Sequence, residues 1–140
     1  MDFSLEKSIE ILSRTPDVLN TMLHDISSDW TSNNEGGETW SVYDIIGHLI
    51  YGEKTDWIPR MEIILSDKTD KTFEPFDRFA QFEESKGKTL TQLLDEFKTL
   101  RKQNMDDILS TYRQRPVNER NSSCFRRSDL IPTSGYLGGT

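Results

Sequence analysis

The chain has 140 residues, 29% of them charged, and a formal net charge of −7 at pH 7. This length fits a single domain spanning residues 1–140, and the acidic balance argues against nucleic acid and anionic membranes as main partners, because both reward clustered Lys and Arg. Cys124 is the only cysteine, so we expect no intramolecular disulfide. No apolar run approaches the roughly 20 residues of a membrane span, and the N-terminus has no signal-peptide core. We therefore expect a cytoplasmic protein.

The first 39 residues predict helical structure followed by a loop. Apolar residues recur at helical spacing over residues 4–26, but Thr15 and Pro16 interrupt them. The pattern leaves open either one kinked helix or a short helix followed by a longer one, with Thr15 as the N-cap of the second. Residues 27–39 are rich in Ser, Asn and Gly and predict a loop.

The segment after this loop carries the clearest helix pattern. Ser41 and Asp44 have the spacing of a capping box, and the helix that they open should continue to about Leu65. Pro59 predicts a kink inside it, because the proline ring removes a hydrogen bond and clashes one turn back. Five apolar residues of this helix should share one arc: Ile45, Ile46, Leu49, Ile50 and Trp57.

Two further segments complete the predicted helical part. Residues 66–88 mix charged residues with four phenylalanines, which predicts a long connection with a short helical turn at about 76–84, held against the helices by its aromatic rings. Thr89 and Gln92 form a second capping box, and the helix that follows should run to about Tyr112.

The C-terminal segment, residues 113–140, breaks this pattern. It is rich in arginine and has no sustained helical period, which predicts an irregular, solvated tail. Cys124 lies in it without a histidine nearby in sequence, so we do not expect a catalytic thiol. Because the helical pattern ends abruptly, we hypothesise that the segment results from a shifted reading frame or a truncation, which sequencing the coding DNA would test.

His48 and Glu53 are the residues of the third helical segment that could carry chemistry. His48 lies on the flank of the apolar arc, either as a functional residue or as an ordinary boundary histidine capped by Asp44. Glu53 falls near the middle of the arc, where an unpaired carboxylate would cost several kcal/mol. Glu53 is therefore either a functional group or the partner of Arg60 or Arg101 in an ion pair.

Several motifs together resemble the DinB/YfiT-like superfamily. Residues 39–49, which contain Thr-Trp-Ser and Asp-Ile-Ile-Gly-His-Leu, are similar to the start of the second helix of that superfamily, and residues 52–60 to its continuation. Residues 76–82 and 93–101 also resemble sequences of this superfamily. The resemblance covers residues 3 to about 112.

The resemblance implies an all-α, up-down four-helix bundle, usually dimeric, that binds one divalent ion, often nickel or zinc, through three histidines. His48 matches the first of these ligands, and Glu53 would be a neighbouring catalytic acid–base group. Relatives include thiol-dependent transferases or isomerases that use bacillithiol, mycothiol or glutathione, metal-dependent hydrolases, and proteins without a known activity. The implied partners are a second copy of the chain and a small-molecule or thiol substrate.

The chain departs from this family pattern at the fourth helix, which should carry the other two histidine ligands. No histidine follows His48, and residues 113–140 stand where that helix should begin. A stable zinc or nickel site takes about three protein ligands, so we expect the metal site of this chain to be incomplete. The alternative function is a non-catalytic bundle that uses the groove left by the missing helix to dimerise or to bind a partner helix.

Overall fold

The computed structural model describes residues 4–116, which form helices and connections without any strand. The helices are α1 Leu5–Leu12, α2 Thr15–Leu23, α3 Ser28–Ser32, α4 Val42–Thr55, α5 Trp57–Leu65, α6 Ala80–Ser85 and α7 Leu90–Gln114. The all-α prediction is confirmed for this part of the chain. No helix in it is long and apolar enough to cross a membrane. The predictions made for the tail beyond residue 116, including Cys124, lie outside the described residues.

The N-terminal pattern resolves into two short helices, α1 and α2. Thr15 is the first residue of α2 and not its N-cap, because Arg14 already has a helical backbone and the Thr15 hydroxyl donates backwards to the Ile11 carbonyl oxygen at 3.1 Å. The loop predicted for residues 27–39 contains α3, whose single turn is too short to show a hydrophobic period.

The long helix predicted from Ser41 breaks before Pro59 rather than at it. Pro59 has no N–H to donate to the Thr55 carbonyl, and its ring crowds that carbonyl. Accordingly α4 ends at Thr55, and Asp56 joins it to α5 with φ −112° and ψ −58°. The helix therefore breaks after Thr55, because this is the residue whose carbonyl Pro59 cannot bond.

Both predicted capping boxes are present. The Ser41 hydroxyl accepts the Asp44 N–H at 3.2 Å, and the Asp44 carboxylate accepts the Ser41 N–H at 3.0 Å. Thr89 and Gln92 make the same reciprocal pair at the start of α7, at 3.2 and 2.8 Å. These local bonds fix where the two longest helices begin.

The core lies between α4 and α7, where five side chains are at most 3% exposed: Ile46, Ile50, Leu93, Leu94 and Phe97. The apolar arc predicted on α4 was too wide. Ile45 is 45% exposed because it points about 100° away from Ile46. Trp57 is 54% exposed and lies beyond the helix break, so the α4 helical wheel does not set its direction.

The short helix α6 covers a second face of α4 at close range. A Cβ atom added to Gly47 would stand 2.3 Å from the Ser85 hydroxyl oxygen, so any larger residue here would force the buried Ser85 side chain to move. The Tyr43 hydroxyl group lies within hydrogen-bonding distance of the carbonyl oxygens of Ser85 and Lys88, which share its one proton. Ser85 is the last residue of α6, and Lys88 lies in the turn that follows it. Gly47 and Tyr43 thus fix the position of α6.

We expect Gly47→Ala to destabilise the protein by about 1–3 kcal/mol, because the added methyl group overpacks the α4–α6 contact. The measurement is the free energy of unfolding in urea. Gly52→Ala is the matched control on the same helix, since its Cβ would meet only Trp57 Nε1 at 3.5 Å, an ordinary contact. That variant should gain up to about 1 kcal/mol from helix propensity, and equal losses in both variants would contradict the close approach.

Candidate functional site

His48 lies on the face of α4 that α6 covers, and its ring is half-buried. Its Nδ1 lies 3.1 Å from Oε1 of Gln81, a fully buried residue of α6. The ring centroid lies 5.0 Å from that of Trp40 and 5.2 Å from that of Phe76. The capping contact considered for Asp44 is absent, because that carboxylate bonds Ser41 instead.

The contact with Gln81 links the His48 tautomer to the orientation of the amide. With the amide oxygen facing the ring, Nδ1 donates and Nε2 is left as the acceptor, whereas the reversed amide would donate to Nδ1 and place the ring proton on Nε2. Nε2 makes no hydrogen bond to residues 4–116, and it is not among their buried unpartnered atoms, so it reaches solvent. His48 therefore has one ring nitrogen, Nε2, that no described residue occupies.

Gln81 was not identified from the sequence. Its side chain is buried at the centre of the α4–α6 contact, and its Nε2 has no hydrogen-bond partner among the described residues. A buried donor left unpaired costs about 1–3 kcal/mol. The only sequence signal is its position between Phe79 and Phe82, in a connection with no clear period.

An aromatic shell surrounds this pair. Phe76 packs edge-on against both His48 and Tyr51, which confirms the prediction that rings hold the 66–88 connection onto the helices. Trp40 packs edge-on against Phe82 at 6.1 Å, and the Arg78 guanidinium lies over the Trp40 ring at 5.6 Å. The shell fixes the orientation of the imidazole.

Glu53 is held in a buried ion pair with Arg101 of α7. Its Oε1 accepts from Arg101 Nε at 2.9 Å and from Nη2 at 2.6 Å, and its Oε2 accepts from Asn104 Nδ2 at 2.8 Å. The Glu53 side chain is 2% exposed and that of Arg101 is 12% exposed. Of the predicted ion-pair partners Arg101 is therefore the one used, while Arg60 faces Asp56, with Nε 2.5 Å from Oδ1 but not aligned for a hydrogen bond.

The same arginine reaches the N-terminal helices. Arg101 Nη1 donates to the Leu12 carbonyl oxygen at the end of α1, at 3.2 Å, and its guanidinium lies 4.9 Å from the centre of the Phe97 ring. Both carboxylate oxygens of Glu53 are occupied, and no contact joins Glu53 to His48. The acid–base role of Glu53 stays a prediction, and its observed role is structural.

A second group of charges ties α4 to α6 and α7. Lys54 Nζ lies 3.1 Å from Glu84 and 2.7 Å from Glu96, and Lys88 Nζ lies 2.7 Å from Glu96. Burial alone would raise the pKa of Glu96, but hydrogen bonds from Lys54 and Lys88 outweigh it and lower that pKa. Burial opposes the charge of Lys54 as well, yet its two carboxylate partners raise the pKa. The charged forms of Lys54 and Glu96 are thus favoured, and their ion pairs link α4 to α6 and α7.

The groups around His48 within residues 4–116 do not complete a nickel or zinc site. No cluster of three or more His, Cys, Asp or Glu side chains that could hold a metal occurs in residues 4–116. The neighbours of the imidazole are an amide and aromatic rings, which are not the donors that these ions prefer. Within this part of the chain, His48 is one potential metal ligand that does not belong to a group of three.

No protein-family model matches this chain, and no curated protein is significantly similar to it. The DinB/YfiT-like resemblance is therefore supported by the motifs quoted above and by nothing from these comparisons.

We expect Arg101→Met to destabilise the protein by about 3–5 kcal/mol, because it leaves the Glu53 carboxylate buried without its cation. The measurement is again urea unfolding. Lys98→Met is the control on the same helix, since the Lys98–Asp17 pair is largely exposed and should contribute little. A loss no larger for Arg101→Met than for Lys98→Met would mean that the Glu53 pair does not anchor the fold.

Proposed function

We propose that this chain is a DinB/YfiT-like helical bundle and that His48 is its functional position. The observation that supports this best is the bond from His48 Nδ1 to Gln81. Metal-ligating histidines usually donate their second ring N–H to a fixed acceptor, which orients the free nitrogen toward the ion. α1–α2, α4–α5 and α7 would be three elements of the up-down bundle.

The corresponding activity is that of a metal-dependent hydrolase or a thiol-dependent transferase acting on a small molecule in the cytoplasm, with nickel or zinc as the ion. Residues 4–116 supply one of about three ligands, so we assign no reaction step to them. Glu53 is better explained as the anchor of α4 on α7, since both of its carboxylate oxygens are bonded.

The tautomer of His48 tests this proposal. In protein labelled with 15N-histidine, at alkaline pH where imidazoles are neutral, we expect NMR to show His48 with its proton on Nδ1. Added Ni²⁺ should broaden the Nε2 signal of His48, and the binding should be weak because the described residues supply one protein ligand. The Gln81→Leu variant should no longer hold His48 in this tautomer.

The controls use the second histidine. His48→Ala should remove the effect of nickel at this site, whereas His24→Ala should keep it, because His24 is exposed and pairs with Asp25 instead. A proton on Nε2 of His48, or nickel broadening that survives His48→Ala, would contradict the proposal.

A specific observation also favours the second candidate function, an interaction protein that forms a homodimer. Large apolar side chains stand exposed on the three N-terminal helices and on the connection between α2 and α3: Ile11, Val18, Met22, Ile26 and Trp30. Met22 is 64% and Trp30 72% exposed. A second copy would cover these side chains with its own, as in a two-fold interface.

We expect the protein to be a dimer at micromolar concentration in analytical ultracentrifugation. Met22→Glu should shift it to the monomer, because the interface would have to bury a charge. Thr21→Glu is the neighbouring control and should leave the dimer intact. A monomeric wild-type protein would rule out this interface.

A further inference from the structure

A cavity of about 490 Å³ lies between α5 and the last turns of α7, away from His48. Its apolar wall comes from positions on one face of α5, namely Ile58, Met61 and Leu65. The opposite wall is polar and comes from one face of α7, namely Asp107, Ser110 and Thr111, while Glu62 and Ser66 complete the lining. A volume of this size suits a small organic ligand, since such sites commonly measure about 300–1,000 Å³.

The charge of the cavity is unbalanced. The carboxylates of Glu62 and Asp107 both line it, and neither makes an ion pair or a side-chain hydrogen bond to residues 4–116. No lining residue is a cation, but the Lys71 ammonium lies at the edge of the cavity, 3.4 Å from Ser66 Oγ, where it donates to the carbonyl oxygens of Ile63 and Ile64. Two carboxylates against one ammonium group leave an excess of negative charge.

The neighbouring residue Asp106 gives a contrast. Its carboxylate pairs with Lys102 at 2.9 Å on the same helix, and it does not line the cavity. Asp107 therefore differs from Asp106 in two respects, because it faces the cavity and has no counter-charge. An apolar wall beside two exposed carboxylates that make no ion pair to residues 4–116 is complementary to a molecule with an apolar body and one positive charge.

We propose that this cavity binds an organic cation, a protonated amine carried on a short apolar or aromatic body. The apolar body packs on Ile58, Met61 and Leu65, and the ammonium group lies between Glu62 and Asp107. The hydroxyl groups of Ser110 and Thr111 accept its remaining N–H bonds. The site is separate from His48 and does not depend on the function proposed for that residue.

The test uses the full chain and three probes of the same shape: 4-phenylbutylamine, 4-phenylbutanol and 4-phenylbutyrate. Backbone 1H–15N spectra should show saturable shifts with the amine, centred on residues 58–66 and 107–111. The neutral alcohol should bind more weakly and the anion not at all. Added salt should weaken binding of the amine, because exposed charges are screened.

Isosteric variants separate the carboxylates from the rest of the surface. Glu62→Gln and Asp107→Asn should each weaken binding of the amine about two- to five-fold, the range that an exposed ion pair gives. Asp106→Asn should leave it unchanged. Equal binding of the alcohol and the amine, shifts centred elsewhere, or an equal effect of Asp106→Asn would overturn the proposal.

Discussion

The buried pair of Glu53 and Arg101 is the interaction on which the rest of the structure depends. It joins the last turn of α4 to the middle of α7, and the same guanidinium continues to the end of α1. Asn104 completes the arrangement by donating to both the carboxylate and the backbone carbonyl of Glu53. Breaking such a pair is costly, whereas forming it mainly fixes the register of the helices that it connects.

With α4 fixed in this way, its remaining faces have separate roles. One face supplies Ile46 and Ile50 to the core, and another receives α6 at Gly47 and carries His48. The imidazole is therefore oriented by packing and by Gln81 rather than by groups of its own helix. This arrangement leaves Nε2 of His48 without a hydrogen bond to the described residues.

Local sequence signals predicted the parts of the fold that local bonds determine. The reciprocal bonds of Ser41 with Asp44, and of Thr89 with Gln92, involve residues three apart, so spacing alone reveals them. The position of the Glu53 carboxylate in an apolar arc also indicated that it requires an ion-pair partner. Arg101 was one of the two arginines predicted for that role.

The parts that the sequence did not reveal depend on contacts between distant segments. Gln81 lies 33 residues from His48, and no period in its connection marks it as buried. Nor could the sequence show that α6 approaches Gly47 closely, or that Glu62 and Asp107 line one cavity while Asp106 does not. Such residues are selected by the tertiary arrangement, which a single sequence does not display.

The break at Asp56 separates α4, which packs in the core, from α5, which lies outside it. α4 and α7 contribute the buried apolar core, whereas α5 has no buried side chain. Local opening costs least where few apolar groups are buried, so we expect the amide protons of α5 to exchange faster than those of α4 and α7. The break before the proline thus separates the helix that forms one wall of the cavity from the helix that carries His48.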